Sequence, residues 1–443
     1  MDSKTLAEPV SHEVQTPQWG LASRIAFRFC FVYLGLFCLT TQIITSLFSA
    51  TQGADIPDPA TLWPMRPIVL WTAAHILHVG ATLTLDGNSG SGDDMFGWVL
   101  ALCLLGIALI GTGVWSVLDR LPKSYIRLQK WFRLFIRFCL AGQMLNYGMA
   151  KVIPVQMPYP FLTKLIEHFG NFSPMGVLWS SIGSSPAYQI FAGFAEVVGG
   201  LLLIVPRTAT LGALICLADM IQVFMLNMTY DVPVKLFSFH LILLAFFLLA
   251  PELPRLGNVF IRNRAAAPSA HAQLFATRRA NRIALAAQVL FALWLVAMNA
   301  NTSLKYWYII GGGRPISPLY GIWEVSEMSV DQQVRPPLLT DRSRWQRAVF
   351  DFPSRMVFQR MDESFAGYDT AINLNDKTML LTRGDDKSSR ASFTFQRPSQ
   401  DRLILDGEMD SHNIHMQLQL VDRNKFLLVS RGFHWIQEFP LNR

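Results

Sequence analysis

The chain has 443 residues, about half of them hydrophobic (51%) and only 16% charged, with a formal charge of +7. A soluble protein of ordinary composition carries about 25% charged residues. The deficit lies in the first 300 positions, where several windows of about 20 apolar residues have the length a helix needs to cross a bilayer of about 30 Å. The positive charge does not require nucleic acid, because much of it flanks those windows: "DRLPKSYIRLQKWFRLFIR" (Asp119 to Arg137) and "RNRAAAPSAHAQLFATRRANR" (Arg262 to Arg282).

In chain order, a polar tail (1–20) precedes candidate crossings at 25–49, 96–118, 131–153, 186–205, 208–229, 234–250 and 282–300. The tail lacks the short apolar core and small-residue cleavage site of a signal peptide, so the first helix reads as an uncleaved anchor. "IVLWTAAHILHVGATLTL" (Ile68 to Leu85) is apolar but interrupted by histidines and threonines. It fits an interfacial or re-entrant helix better than a crossing. The two Arg-rich loops belong on the cytoplasmic side. Four crossings separate them, which is consistent. The N-terminus is then cytoplasmic, and everything after residue 300 lies outside. On the outer face, "PFLTKLIEHFG" (Pro160 to Gly170) reads as an amphipathic helix with Phe161, Leu162, Leu165, Ile166 and Phe169 on its apolar side.

Ionisable groups inside crossings are the main functional signal, since each costs about 2.5–3.5 kcal/mol on the insertion scale and faces the bundle interior. Gln143, Tyr147 and Lys151 are spaced four apart and share one helix face. Lys151 sits near the outer end, where its stem can snorkel or its ammonium can bind a ligand head or a carboxylate. Glu196 and Asp219 lie mid-crossing, and His240 sits two turns into its helix. Each can be a packing hydrogen bond. Together they are consistent with a polar cavity. In "YDVPVKL" (Tyr230 to Leu236), Asp231 is placed to cap a helix N-terminus with Pro233 in its first turn, and Lys235 can pair with Asp231 or line the outer vestibule. Gly199 and Gly200 allow close helix approach.

No metal site is read from the sequence. The five cysteines all lie in apolar segments without CxxC spacing, and His75 and His78 alone make a weak pair of ligands. No nucleotide, hydrolase or zincin motif occurs.

From Tyr320 onward, alternating segments such as "GIWEVSEMSV", "WQRAVFDFPSRMVFQRM", "HNIHMQLQLVDR" and "KFLLVSRGFHWIQEFP", with turns "LNDK", "RPSQD" and "VDRNK", predict an antiparallel meander closing into a small barrel of about eight to ten strands. The expected fold is therefore a polytopic α-helical membrane domain, with about seven transmembrane helices plus interfacial helices, followed by a small antiparallel β-barrel.

"YGMAKVIPVQMPYP", "SPMGVLWSSIGSS", "GFAEVVGGLLLIVPRTATLGAL" and "LNMTYDVPVKL" resemble, in order, motifs of the DoxX family of bacterial membrane proteins, over roughly Arg133 to Leu256. In particular the chain resembles a longer subgroup with added segments. "GIW" (Gly321 to Trp323) and Arg431 resemble the lipocalin-like arrangement in which a Trp and an Arg close a barrel base. These resemblances imply a DoxX-like transmembrane domain (21–304), a linker (305–318) and an extracytoplasmic lipocalin-like β-barrel (319–443) in the bacterial inner membrane. The motif positions are Tyr147, Lys151, Glu196, Arg207, Asp231 and Lys235. Some DoxX-like proteins are linked to thiosulfate:quinone oxidoreductase or to redox complexes, which implies a quinone site, redox protein partners and membership of a quinone-linked oxidoreductase. "VPRT" has one arginine where the family pattern leads one to expect two, and no cysteine lies outside the membrane. The alternative is a non-enzymatic envelope protein whose barrel binds a lipophilic ligand or a partner.

Overall fold

The computed structural model describes residues 19–48, 57–79, 91–119, 124–266, 273–383 and 390–442. The chain forms two compact units: Met1–Met149 with Phe194–Ala300, and Ala150–Gly193 with Asn301–Arg443.

The first unit is helical: α1 (Leu21–Thr40), α2 (Gln42–Ser46), α3 (Met65–His75), α4 (Met95–Leu118), most of α5 (Ile126–Val152), the greater part of α7 (Pro186–Ile204), α8 (Ala209–Thr229), α9 (Lys235–Leu249), α10 (Leu253–Phe260) and most of α11 (Arg278–Ile309). The intervening α6 (Pro174–Gly183) belongs to the second unit. Among the described residues, six helices are long and apolar enough to cross a membrane: α1, α4, α7, α8, α9 continued through α10, and α11. With the expected seventh crossing, the exception is α5, which carries Arg127, Lys130, Arg133, Arg137 and Lys151 in 27 residues.

Burial explains why α5 tolerates those charges. Ile136, Cys139, Leu140, Ala141 and Leu145 are fully enclosed. Arg137 donates to the Leu203 and Ile204 carbonyls at the end of α7, and Arg133 to Leu248 O at the end of α9. Cations at helix C-termini satisfy orphan carbonyls and oppose the helix dipole. A helix surrounded by protein need not be lipophilic on every face.

Gly199 and Gly200 lie where α7 meets its neighbours closely. A Cβ on Gly199 would lie 2.9 Å from Cys216 Sγ of α8, and one on Gly200 would crowd Ala141 and Met144 of α5. The helix α3 spans 11 residues, about 16 Å, which is too short to cross. The remainder of the Ile68–Leu85 segment from residue 80 on lies outside the described residues.

A buried cation ties α1 to α4. Arg28 is 1% exposed. It donates to Ser116 Oγ at 2.8 Å, to the Asp119 carbonyl at 3.0 Å and to Tyr125 Oη, while Tyr125 donates to Asp119 at 2.6 Å.

The second unit contains a closed barrel. Its strands are β1 (Gly321–Val330), β2 (Gln333–Val334), β3 (Trp345–Phe352), β4 (Arg355–Arg360), β5 (Phe365–Asn373), β6 (Thr378–Thr382), β7 (Arg390–Ser399), β8 (Arg402–Met409) and β9 (His412–Leu420). Eight of them run antiparallel in sequence order, and β9 closes on β1 from Trp323 opposite Leu420 to Val330 opposite Ile414. The two-residue β2 pairs only with the end of β1. "WQRAVFDFPSRMVFQRM" is two strands, β3 and β4, joined by a hairpin.

Alternate side chains fill the interior. Trp323, Phe350, Phe358, Phe393, Leu405 and Met416 belong to one buried cluster, with Trp345 stacked on Phe358 at 3.5 Å. An eight-stranded barrel is just wide enough for such filling. Gly407 lets β8 approach β7 closely, because a Cβ there would collide with Ser392 O.

Two expectations are corrected here. The last segment is not a strand: it forms a short helix α12 (Leu427–Ser430) and then irregular chain, because β9 has already paired with β1 and no edge remains to receive it. Arg431 lies on this segment and contacts Gln437, and the guanidinium over the Trp323 ring is that of Arg397 on β7, at 5.6 Å. Pro160 to Gly170 is likewise no amphipathic α-helix. It forms two 3-10 turns, and Leu162, Leu165 and Ile166 pack on Ile322, Val349 and Val357 of the barrel exterior. The apolar stripe was matched to a sheet face.

Four turn carboxylates of the barrel titrate low. Asp331, Asp341, Asp362 and Asp401 are held below their ordinary 3.8 mainly by hydrogen bonds with His412, Ser343, Ser364 and Ser399. A carboxyl depressed in the folded state stabilises it above the unfolded value, and that contribution disappears as pH falls through the folded one. The barrel's melting temperature should therefore drop on acidification below about pH 4, and Asp401→Asn should flatten part of the drop. Thermal melts across that range check this, and an unchanged melting temperature would refute it.

Candidate functional site

Helix α1 stops where two threonines compete for its last carbonyls. Thr40 and Thr41 hydroxyls donate back to Leu36 O and Phe37 O at 2.8 and 2.7 Å, and Thr41 turns extended before α2 begins. The short α2 is then held by the polar face of α5. Gln42 donates to Tyr147 Oη at 3.3 Å, and Gln143 donates to Ser46 Oγ. The i, i+4 spacing of Gln143 and Tyr147 thus serves one neighbour.

A second junction forms at residues 91–94. Gly92 N–H donates to Pro233 O at 2.7 Å, an approach that leaves a Cβ only 3.2 Å from that oxygen. Asp94 caps α4 by accepting from Gly97 N. Asp93 caps α9, its two oxygens accepting from Lys235 N and Leu236 N at 2.8 Å each. This corrects the role expected of Asp231. That residue has a positive φ of 52° and sits outside the cap, where its carboxylate takes the Lys235 ammonium at 2.9 Å. Capping α9 required a carboxylate approaching along the helix axis, which a distant loop could supply.

Between these junctions is a cavity of about 370 Å³. Phe37, Phe96, Leu100, Leu236 and Phe237 give it apolar walls. Gln42, Asp58, Arg66, Asp94 and Tyr147 bring polar groups to it. The Thr40 and Thr41 protons are committed to backbone carbonyls, so those hydroxyls present oxygen acceptors, whereas Gln42, Arg66 and Tyr147 carry donor groups. Asp58 is exposed, with neighbouring protein atoms that disfavour its charged form. Crowding raises its carboxyl above the ordinary range, against a hydrogen bond with Thr45. This is the composition of a small-molecule pocket: apolar and aromatic walls with a few placed polar groups.

Of the sequence candidates, Tyr147 lines this cavity. His240 stands one layer behind it: its ring stacks on Phe37 at 3.6 Å, Nδ1 donates to Leu236 O at 2.7 Å, and Nε2 accepts from Tyr33 at 2.8 Å. Both ring nitrogens are satisfied in the neutral tautomer, so His240 positions Phe37. Glu196 is buried on α7 and interacts electrostatically with Tyr147. Asp219 is half-buried on α8, three residues after the buried Cys216. Lys151 is buried on the last turn of α5. Arg207 is exposed in the turn after α7.

His75 stacks on Trp71 and bonds its carbonyl. Among the described residues, no three His, Cys, Asp or Glu side chains converge on a metal-sized site. Sequence reasoning missed Gln42, Asp58 and Arg66. The signal for Asp94 was present, as an aspartate directly before a long apolar run. Asp93 had none, since its partners are 142 and 143 residues away.

The chain is 29% identical over 138 aligned residues, 29% of its own length, to the uncharacterized protein YwoB of Bacillus subtilis (strain 168), of which the match covers 79%. No family model matches the chain. No solved structure matches it.

Proposed function

We propose that this membrane-anchored protein is a DoxX-like protein of the bacterial inner membrane, with its N-terminus cytoplasmic and its barrel outside, whose helical unit binds a quinone or lipid head group. The carrying observation is the cavity beside Tyr147, whose volume falls in the range of small-ligand pockets, about 300–1,000 Å³. Its residues fit a quinone: Phe37, Phe96 and Phe237 offer aromatic contact to a flat ring, while Arg66, Gln42 and Tyr147 offer donors to carbonyl oxygens. A bound quinone would supply two-electron redox chemistry. The chain itself orients the ring, and Asp58 holds a proton to higher pH than an ordinary carboxyl.

The test is titration of a short-chain ubiquinone analogue into the full chain in nanodiscs, read by intrinsic fluorescence. Saturable binding is expected, weakened about tenfold in Gln42→Leu and in Arg66→Ala, the loss of about 1.4 kcal/mol typical of one good hydrogen bond. Native mass spectrometry separates the two ligand classes, since a bound lipid would be displaced by the quinone. No saturable binding, or equal affinities in both variants, would sink the proposal.

The alternative places function in the barrel. Its interior is packed with its own side chains, which favours a partner-binding surface over carriage of a lipophilic ligand.

A further inference from the structure

After β9 closes the barrel, the chain does not stop. Phe426 packs against the barrel exterior in the cluster around Ile322 and Val349, and Tyr159 donates to Leu428 O. Beyond that anchorage the segment becomes apolar and open to solvent. Phe433 is 77% exposed, Trp435 91%, Ile436 79% and Phe439 83%. Side chains of this size are ordinarily removed from water, because burying their apolar surface is favourable. Phe433 and Trp435 are in edge contact at 5.0 Å, and four such exposed side chains within seven residues mark a segment that needs a cover.

We infer that this segment, 427–442, is an interfacial anchor that lies in the surface of an anionic bilayer. Three observations choose that occupant. The first is charge: from Asp422 to Arg443 four cationic side chains, Arg423, Lys425, Arg431 and Arg443, outnumber two carboxylates, Asp422 and Glu438, and three of the four cations flank the segment itself. Aromatic and aliphatic side chains interleaved with Arg and Lys are the composition of segments that lie in a lipid interface. The second is the tether. Only eleven residues separate Ile309, the end of the spanning helix α11, from Gly321, the start of the barrel, a reach of at most about 40 Å. The third is that the last turns of α11 carry Tyr306, Trp307 and Tyr308, an interface belt, within the same compact unit as the barrel and its tail. There, Gly311, Gly312 and Gly313 fold directly over the Trp307 indole, with any added Cβ within 2.9 Å of it. The inference is independent of what the helical cavity binds.

The experiment uses the full chain. His434→Cys places a thiol between Phe433 and Trp435 for an environment-sensitive fluorophore. The five native thiols are buried or half-buried, and the unsubstituted protein serves as the labelling control. In nanodiscs containing phosphatidylglycerol and one protein copy, emission should shift to the blue and rise about twofold over that of water-exposed dye. Adding Phe433→Ser and Phe439→Ser should abolish the rise while leaving the thermal melt unchanged, since neither ring packs in the barrel. Emission typical of water in those discs overturns the inference. So does a rise that survives both serine substitutions, or one that occurs only in discs holding two copies, which would assign the surface to self-association.

Discussion

Asp351→Ala should lower the stability of the barrel unit by about 3–5 kcal/mol, the cost of removing one partner from a buried ion pair. Asp351 lies on β3 with 9% of its side chain exposed. One carboxylate oxygen accepts from the Arg314 guanidinium and the other from Leu162 N at 2.9 Å. Arg314 is itself held between Phe161 and Phe352, 5.1 and 4.9 Å from the ring centroids. Alanine would strand that cation among aromatic rings and leave a buried N–H without its acceptor, so both losses add. The same clamp docks residues 160–166 on the barrel, and its removal should make that segment the first to be cut by protease. Differential scanning calorimetry and limited proteolysis of the full chain measure the two effects. A variant with a native barrel transition and an uncut segment would show that apolar packing of Leu162 and Ile166 suffices.

The second large effect is expected at Arg28. Arg28→Met should cost the helical unit about 3–5 kcal/mol, because Asp119 and Tyr125 would keep their buried polar atoms and lose the donor that joins them. Adding Asp119→Asn should recover a substantial part of the loss, since the uncompensated charge is then gone while the Tyr125 contact can persist. This non-additivity is what distinguishes a network from independent contacts. Thermal stability in detergent for the two single variants and the double variant closes the cycle. Additive losses would mean that Arg28 acts by packing its stem against Trp115 and Tyr125 alone.

Much of the architecture was legible from spacing. Apolar windows of the right length became six helices able to cross a membrane, and alternation with turns at "LNDK" and "RPSQD" became a closed antiparallel barrel. Gly199 and Gly200 predicted close helix approach, and the four-residue spacing of Gln143, Tyr147 and Lys151 predicted a shared helix face, of which Gln143 and Tyr147 meet α2. The errors have one origin. Residue type and local pattern suggest one role for Arg431, the Pro160–Gly170 stripe and Asp231, whereas each owes its place to a surface supplied from elsewhere. Arg397 took the place beside Trp323 because the cross-barrel neighbour of a strand is set by register, which a single sequence does not display.

Composition and periodicity alone therefore determined that this chain has apolar helices followed by a β-barrel, because burial of apolar surface follows directly from the pattern of side chains along a helix or strand. The tertiary structure decided which polar residues meet. A capping carboxylate or a helix-end arginine depends on groups far apart in sequence, such as Arg137 with Leu203, 66 residues away, and Asp93 with Lys235, 142 away. Hydrogen bonds are short-ranged and directional, so such pairs exist only once the packing of the helices has fixed their distances.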